Sequence, residues 1–273
     1  IKTDDLKEVP TCNIEGKRLF YGQGPVTWTG PSQRIRNPYS NYGYYFLTEN
    51  DSAALMVDSA EFVKRFYPSY DFMNTLCEPE EYAWFHGGRN LFASKVFGNG
   101  NSCSYTIESA GNSALGYLTV TVTTNAATIY SISLNDSTVG SFVMDGPSSY
   151  NAAATSTKSI RVKNLKPTNT VVLSSARNAD MRLDNIIINT NDYKPLPDFK
   201  NTAFAVPEYV YRITNQNLHA HEAVDMVIII PATQKLRAQA ERLKALHERL
   251  DSMTVRIIPA DELFNEFSSG TPD

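Results

Sequence analysis

Between Leu91 and Asn191 the chain is written in short runs where apolar and hydroxyl side chains alternate and charges are few. Gly116–Thr124 (GYLTVTVTT) sets Leu118, Val120 and Val122 against Thr119, Thr121 and Thr123, the period of two that a half-buried strand requires. Thr128–Leu134 repeats the pattern with Ile132 and Leu134 against Ser131 and Ser133, and an Asn135-Asp136 turn leads into Thr138–Met144. Ser159–Val162 places Ile160 and Val162 on one side, Thr170–Ser174 places Val171 and Leu173, and Met181–Asn189 (MRLDNIIIN) closes the series. Strands separated by turn residues and not by helices lack the crossovers that a parallel sheet needs. They predict a mainly β fold built on an antiparallel β-sandwich at 91–191. A jelly-roll-like order of its strands is the expected topology.

The flanks read differently. Residues 1–90 form an irregular, aromatic-rich region with short strands, punctuated by Gly22, Gly24, Pro25, Gly30, Pro31 and Pro38. A strand is expected at Tyr44–Thr48 (YYFLT), a second apolar stretch at Ala53–Val57, and an amphipathic helix from Ser59 that Pro68 stops. Residues 192–223, with Pro195, Pro197 and Pro207 among polar neighbours, read as a linker. From 224 to 273 the pattern changes again. Asp225–Ile230 is a continuous β-branched run, as in a strand buried on both faces. Thr233 is placed to cap a helix after Pro231. Leu236, Ala240, Leu243, Leu246 and Leu250 follow at helical spacing, with Arg237, Glu241, Lys244 and Glu248 outside. Met253–Ile258 makes a second strand and Asp261–Phe267 a short helix. This order predicts a right-handed βαβ unit. A parallel sheet needs more strands than two, covered on both faces. Residues 224–273 are therefore expected to be the truncated start of an incomplete α/β domain. The strand Asp225–Ile230 is expected to pack on the preceding region or on a neighbouring molecule.

Composition removes several classes of function. The 25 Lys and Arg against 29 Asp and Glu leave a net charge of −4, which offers no electrostatic footprint for nucleic acid. A hydrophobic content of 42% with so small a net charge excludes a mainly disordered chain of this length, 273 residues. The longest apolar run, Val227–Pro231, is far short of the ~20 residues of a membrane-spanning helix. The opening IKTDDLKEVP has no apolar core of a signal peptide, which fits a cytosolic protein and a processed exported one alike. Cys12, Cys77 and Cys103 lie far apart and form no CxxC motif, so neither metal nor disulfide state is legible from their spacing.

Several short motifs have a chemical reading and a plainer one. His219-Ala220-His221-Glu222 would put two imidazoles on one face of a strand, but a metal centre needs further ligands, and a polar loop ahead of the next strand is preferred. Phe85-His86-Gly87-Gly88 is similar to glycine-rich oxyanion loops. Without a GxSxG nucleophile, a glycine turn is preferred. Gly98-Asn99-Gly100 is a turn and no dinucleotide fingerprint, and Pro231-Ala232-Thr233 cannot cradle a pyrophosphate. Cys77 or Cys103 could pair with a histidine as a nucleophilic dyad only through contact in space, and cysteine is more often a small buried residue. Asn50-Asp51-Ser52 and Asn135-Asp136-Ser137 are sequons that arise by chance in an Asn/Ser-rich chain. Tyr, Trp and Asn exposed on a sandwich could stack on sugars, which makes a carbohydrate-binding or adhesive surface module the competing reading. A purely structural spacer is the plainest. No catalytic, metal-binding or cofactor-binding residue is assigned, and no cofactor is expected.

One resemblance gathers these pieces. The stretch His221–Asp273 resembles the start of the gingipain-type cysteine peptidase domain. It has a first strand like DMVIIIP (Asp225–Pro231), a helix with an AERL–H pattern (Ala240–His247), a strand VRIIP (Val255–Pro259) and the segment ADELFNEFSSGTPD (Ala260–Asp273). FNEFSSGTPD is its most specific part. NPYSNYGYYFLTE (Asn37–Glu49), WFHGGRNLF (Trp84–Phe92) and RLDNIII (Arg182–Ile188) resemble the region ahead of that domain in multidomain members, above all the sortase-like ones of the type IX secretion system of Bacteroidetes. The resemblance implies a caspase-like α/β peptidase domain, with a Cys–His pair at the carboxyl ends of its parallel strands. It also implies an exported parent, in the periplasm or on the outer-membrane surface. In that family the His lies in a GHG-type motif and the Cys in an AC-x-G-type motif. Neither occurs here: His86 lacks the preceding Gly, and Cys103 sits in NSCSY. The implied role is a non-catalytic N-terminal portion of a secreted or surface cysteine endopeptidase. Its partners would be the missing C-terminal peptidase domain and a protein substrate or a glycan.

Overall fold

The computed structural model describes residues 7–49, 51–66, 73–84, 90–109, 111, 113–190, 192, 195–213 and 216–272. The chain divides into two compact units, each gathered from separate stretches: 27–35 with 63–198, and 1–26 with 36–62 and 199–273. The described elements begin with two short hairpins, β1 (Cys12–Ile14) with β2 (Lys17–Leu19) and β3 (Val26–Gly30) with β4 (Gln33–Arg36). Helix α1 (Ser59–Phe66) and strand β5 (Asn74–Cys77) follow. Pro68, expected to stop that helix, lies outside the described residues.

Strands β6 (Ser102–Glu108), β7 (Ser113–Thr124), β8 (Thr128–Leu134), β9 (Ser137–Met144), β10 (Ala154–Leu165), β11 (Thr168–Ser175) and β12 (Met181–Thr190) build the sandwich with β5. One sheet runs β10-β7-β12-β5 and the other β6-β11-β8-β9, and every pairing in both is antiparallel. The expected mainly β, antiparallel sandwich is what forms. The inner faces close over Leu118, Val120, Val122, Tyr130, Ile132, Leu173, Met181 and Ile188, all without solvent exposure. Each such side chain contributes about 1.5–3 kcal/mol relative to leaving it in water. β5 joins the sheet from the stretch that reads as irregular, with Cys77 opposite Ile186 and Asn74 opposite Asn189.

The expectation that β7 is half-buried needs correction. Thr119, Thr121 and Thr123, on the face away from the core, are buried as well. Their hydroxyls are hydrogen-bonded: Thr119 donates to Ser159 at 3.0 Å, Thr121 pairs with Thr157 at 3.0 Å, and Thr123 donates to the Ala154 carbonyl at 2.9 Å. Alternation reports only which face is apolar, and paired hydroxyls can be buried without the penalty of an orphaned group. The turns are as expected. Asn135 and Asp136, at φ 48° and 68°, make the two-residue β8–β9 loop that asks for left-handed backbone at both positions. At Gly98-Asn99-Gly100 the Asn101 amide donates to the Gly98 carbonyl at 2.8 Å.

The other unit contains β13 (Met226–Ile230), α2 (Arg237–Leu250), β14 (Val255–Pro259) and α3 (Ala260–Phe267). β13 and β14 pair in parallel, Met226 opposite Val255 and Ile230 opposite Pro259, the strand–helix–strand order read from the sequence. Here too the burial differs from expectation. Val227 and Ile229 are 47% and 60% exposed, and Leu236, Leu243, Leu246 and Leu250 of the helical stripe are all exposed. Two strands and one crossover helix have too little surface to cover both faces of both strands. Thr233 does not cap α2. The Gln234 amide donates back to the Pro231 carbonyl, and Gln234 itself is left-handed at φ 55°, so the helix begins a turn later.

Tyr44–Thr48 is no strand. The segment pairs with no sheet, and side chains hold it instead. The Tyr45 ring meets Phe20 edge-on at 5.1 Å, and its hydroxyl takes the Gln23 amide. Ala53–Val57 contributes only a bridge between Met56 and Thr11.

Candidate functional site

The stretch ahead of β13 ends in a short 3-10 turn, Leu218–Ala220, capped by Asn217. His219 lies within that turn and His221 just after it, so the two imidazoles do not share the face of a strand. His219 turns instead to Glu266 of α3. The Glu266 carboxylate is 3% exposed and accepts from the Leu218 amide at 2.8 and 2.7 Å, from Gln216 Nε2 at 2.9 Å and from His219 Nδ1 at 3.0 Å. The His219 ring packs on Phe267 at 4.5 Å. Burial alone pushes the Glu266 carboxyl up. The hydrogen bonds from Leu218, Gln216 and His219 outweigh it and hold the group below its usual range.

The neighbouring residues of α3 fasten further segments. Asn265 is buried and takes the Tyr211 hydroxyl at 3.3 Å. Gly270, left-handed at φ 83°, lies beside Tyr44 and Phe46, whose side-chain atoms are 3.4 and 3.6 Å from where a Cβ would stand. Asn37 Nδ2 donates to the Pro272 carbonyl at 2.9 Å. The segments NPYSNYGYYF and FNEFSSGTP, more than two hundred residues apart in the chain, are thus in contact within one unit. Sequence reasoning picked out both motifs and missed that Asn37, Tyr44, Phe46 and Gly270 are where they join, and that Glu266 holds the 216–219 stretch. The one signal available was an acidic residue set between the two phenylalanines of FNEF.

In an open α/β sheet the reacting groups gather at the carboxyl ends of the strands. Here those ends are Ile230-Pro231 and Pro259-Ala260. The described histidines lie elsewhere: His219 and His221 precede β13, and His247, bonded to Asp251 at 2.6 Å, closes α2 just before β14. All three sit towards the amino ends. His86 lies outside the described residues, as do the rest of Phe85–Gly88 and Asn50 of the first sequon. Among the described residues no group of three His, Cys, Asp or Glu could hold a metal ion.

The cysteines are poor nucleophiles where they stand. Burial pushes all three thiols above their ordinary range, away from the thiolate that attack requires. Cys77 and Cys103 belong to the sandwich unit, in which no described residue is a histidine.

The sandwich has its own buried polar layer. The register of β12 against β7 shifts between Leu183 and Asn185. This bulge keeps Leu183 and Ile186 in the core while Arg182 and Asn185, opposite Thr123 and Thr121, share the outer face. The Arg182 guanidinium lies 3.5 Å from the centre of the Tyr82 ring and 5.5 Å from that of Trp84. It donates to the Ala93 carbonyl at 3.0 Å and to the Ser94 carbonyl. Burial raises the Asp184 carboxyl above its usual range, partly offset by Arg34, Asn185 and Asn90. Arg182 of RLDN thus binds the chain's own Tyr82, Trp84, Ala93 and Ser94 to the outer face of the sheet.

Residues 219–273 match the model of peptidase family C25, the gingipain family. The resemblance to gingipain-type cysteine peptidases that the sequence carries is upheld by that match. In fold, the whole chain is similar to dimeric latent PorU from Porphyromonas gingivalis, with a TM-score of 0.65 and 21% identity. The chain spans 34% of the length of that protein. Part of the chain also superposes on a CBM36 domain of a multidomain xylanase from the hindgut metagenome of Trinervitermes trinervoides. That superposition has a TM-score of 0.31 and 20% identity, and covers 44% of this chain and 97% of that one. A family 35 carbohydrate-binding module from an environmental isolate gives a TM-score of 0.30 at 18% identity, covering 45% of this chain and 90% of that one. No curated protein matches the chain. Among the described residues no helix is long and apolar enough to cross a membrane.

Proposed function

We propose that the chain is the non-catalytic N-terminal portion of an exported, sortase-like cysteine endopeptidase of the gingipain type. The observation that carries this is the match of residues 219–273 to peptidase family C25, on a stretch that folds as a single strand–helix–strand unit followed by α3. In the parent enzyme a thiolate would attack a peptide carbonyl, with a histidine to move the proton and donors to hold the oxyanion. We place that thiol and imidazole in the rest of the α/β domain, on strands that would also cover Val227 and Ile229. The role of 1–218 is then to carry and position the peptidase domain: Asn37, Tyr44 and Phe46 hold the FSSGTP loop, and Gln216–His219 hold α3. Action on secreted proteins in type IX secretion, in the periplasm or at the outer-membrane surface, belongs to this proposal.

The test has two arms. This chain alone should release nothing from peptide substrates. Thiol-dependent turnover that disappears on Cys77→Ser or Cys103→Ser would overturn the assignment. In the full-length protein, Asn37→Ala together with Tyr44→Ala should lower peptidase activity without abolishing export. The intact chain is also to be titrated with a glycan panel. Saturable binding there would favour the carbohydrate-binding or adhesive reading instead.

A further inference from the structure

The sandwich places two cysteines on facing edges. Cys77 ends β5, the edge strand of one sheet, and Cys103 lies on β6, the edge strand of the other. Antiparallel partners point to the same side. Cys77 lies opposite Ile186, and Cys103 opposite Leu173, both fully buried core residues. Both thiols therefore point into the space between the sheets. Cys103 belongs to the buried core cluster and Cys77 packs against it. Stacked sheets ordinarily lie about 10 Å apart, but backbone atoms of β5 and β6 come within 8 Å, so this edge of the sandwich is pinched. The Tyr105 phenol, two residues along β6 and on the same face, also packs against that core, and its ionisation is opposed first by burial and then by both thiols. A disulfide needs Cα atoms about 4.4–6.8 Å apart with the Cβ vectors turned toward each other, and of the three cysteines Cys77 and Cys103 are the two that face this one space. Cys12 lies in the other unit.

We propose that Cys77 and Cys103 are a disulfide site that staples the two sheets together along the β5–β6 edge. The oxidant is another disulfide, of a protein or of a small thiol. The half-buried Cys77 gives up its proton, its sulfur attacks one sulfur of the oxidant, and the other leaves as a thiol. The Cys103 sulfur, losing its own proton, then displaces the second thiol. One S–S bond is broken and one formed, and the two protons end on the two departing thiols. Burial raises both thiols, so exchange in the folded protein is slow, and the bond forms most readily while the β5 edge is still open during folding. The closed loop contains Tyr82 and Trp84, so the staple would also restrict the two rings that lie against Arg182.

The experiment refolds the whole chain in a mixture of oxidised and reduced glutathione, blocks the remaining thiols with an alkylating reagent under denaturing conditions, and maps the peptides. The expected result is a cross-linked pair of peptides carrying Cys77 and Cys103. The intact mass should be lower by two hydrogens, and Cys12 alone should be alkylated. The urea midpoint of this form should fall on adding dithiothreitol, and Cys77→Ser or Cys103→Ser should each restore alkylation of the other residue. Alkylation of all three cysteines, a cross-link that includes Cys12, or glutathione left attached to Cys77 without resolution would each overturn the proposal. The peptide map needs only the unsubstituted chain, so a variant that fails to fold does not spoil it.

Discussion

Replacing Glu266 by Gln tests whether the residues ahead of β13 are truly anchored to α3. The carboxylate takes two close contacts from the Leu218 amide and one each from Gln216 and His219. A hydrogen bond to a charged group contributes about 1.5–3 kcal/mol net, and a buried amide left unpaired costs about 1–3 kcal/mol. Gln keeps the shape and one acceptor but loses the charge and turns an amide NH2 toward other donors. A loss of roughly 2 kcal/mol follows for Glu266→Gln, and roughly 3–5 kcal/mol for Glu266→Ala, which breaks a buried charged cluster outright. The assay is hydrogen exchange of the Leu218 amide, where about 1.4 kcal/mol corresponds to a tenfold change in protection. Glu266→Gln should therefore exchange at Leu218 ten- to fortyfold faster, by order of magnitude. The pH dependence gives an independent check. The folded state holds the carboxyl below its usual 4.5, so the unfolded chain takes up the proton first. The contribution is complete above about pH 4.5 and is lost as pH falls through the folded value. Glu266→Gln should remove that part of the acid sensitivity. Unchanged Leu218 protection in Glu266→Gln, with stability within about 0.5 kcal/mol of the parent, would refute the reasoning.

Three further substitutions probe the sandwich. Arg182→Met should cost about 3 kcal/mol in urea unfolding, since it removes a desolvated cation–π contact and two hydrogen bonds to Ala93 and Ser94. It should also open the backbone at Ala93 and Ser94 to protease. Gly98→Ala should destabilise by at least about 2 kcal/mol, because Gly98 is at φ 124° and a Cβ would lie 1.9 Å from the Ala179 carbonyl oxygen; a thermal midpoint equal to the parent's would contradict this. Asp184→Asn should hold or raise stability at pH 7. Burial lifts the Asp184 carboxyl above its ordinary 3.8, so its ionised form weakens the fold as pH rises through that window, and the variant's advantage should fade in acid.

Much of the architecture is legible because it is local. The alternation in GYLTVTVTT, TIYSISL and TVVLSS reports one apolar face per strand. Asn135-Asp136 supplies the left-handed turn between two of those strands, and the VIII and VRII runs bracket an amphipathic helix. Each is a pattern of neighbours a few residues apart, and each forms as expected. The misses share a cause as well. YYFLT has the composition of a strand but is held by Phe20, Gln23 and the Gly270 loop. NTLC has too few residues to announce itself, yet it completes a sheet against β12. The threonines of β7 look solvent-facing and are buried because Ser159 and Thr157 pair with them.

The amino-acid sequence by itself therefore determined the kind of layers: an antiparallel sandwich, then a parallel strand pair with its crossover helix and a family likeness concentrated in FNEFSSGTPD. Periodicity and turn chemistry suffice for that, since they act within a few residues. The tertiary structure alone decided which distant residues meet: Glu266 with Leu218, Asn37 with Pro272, and Arg182 with Tyr82. Those contacts depend on strand order, a one-residue bulge and the direction of side chains after the layers have packed, and no local pattern along the chain encodes them.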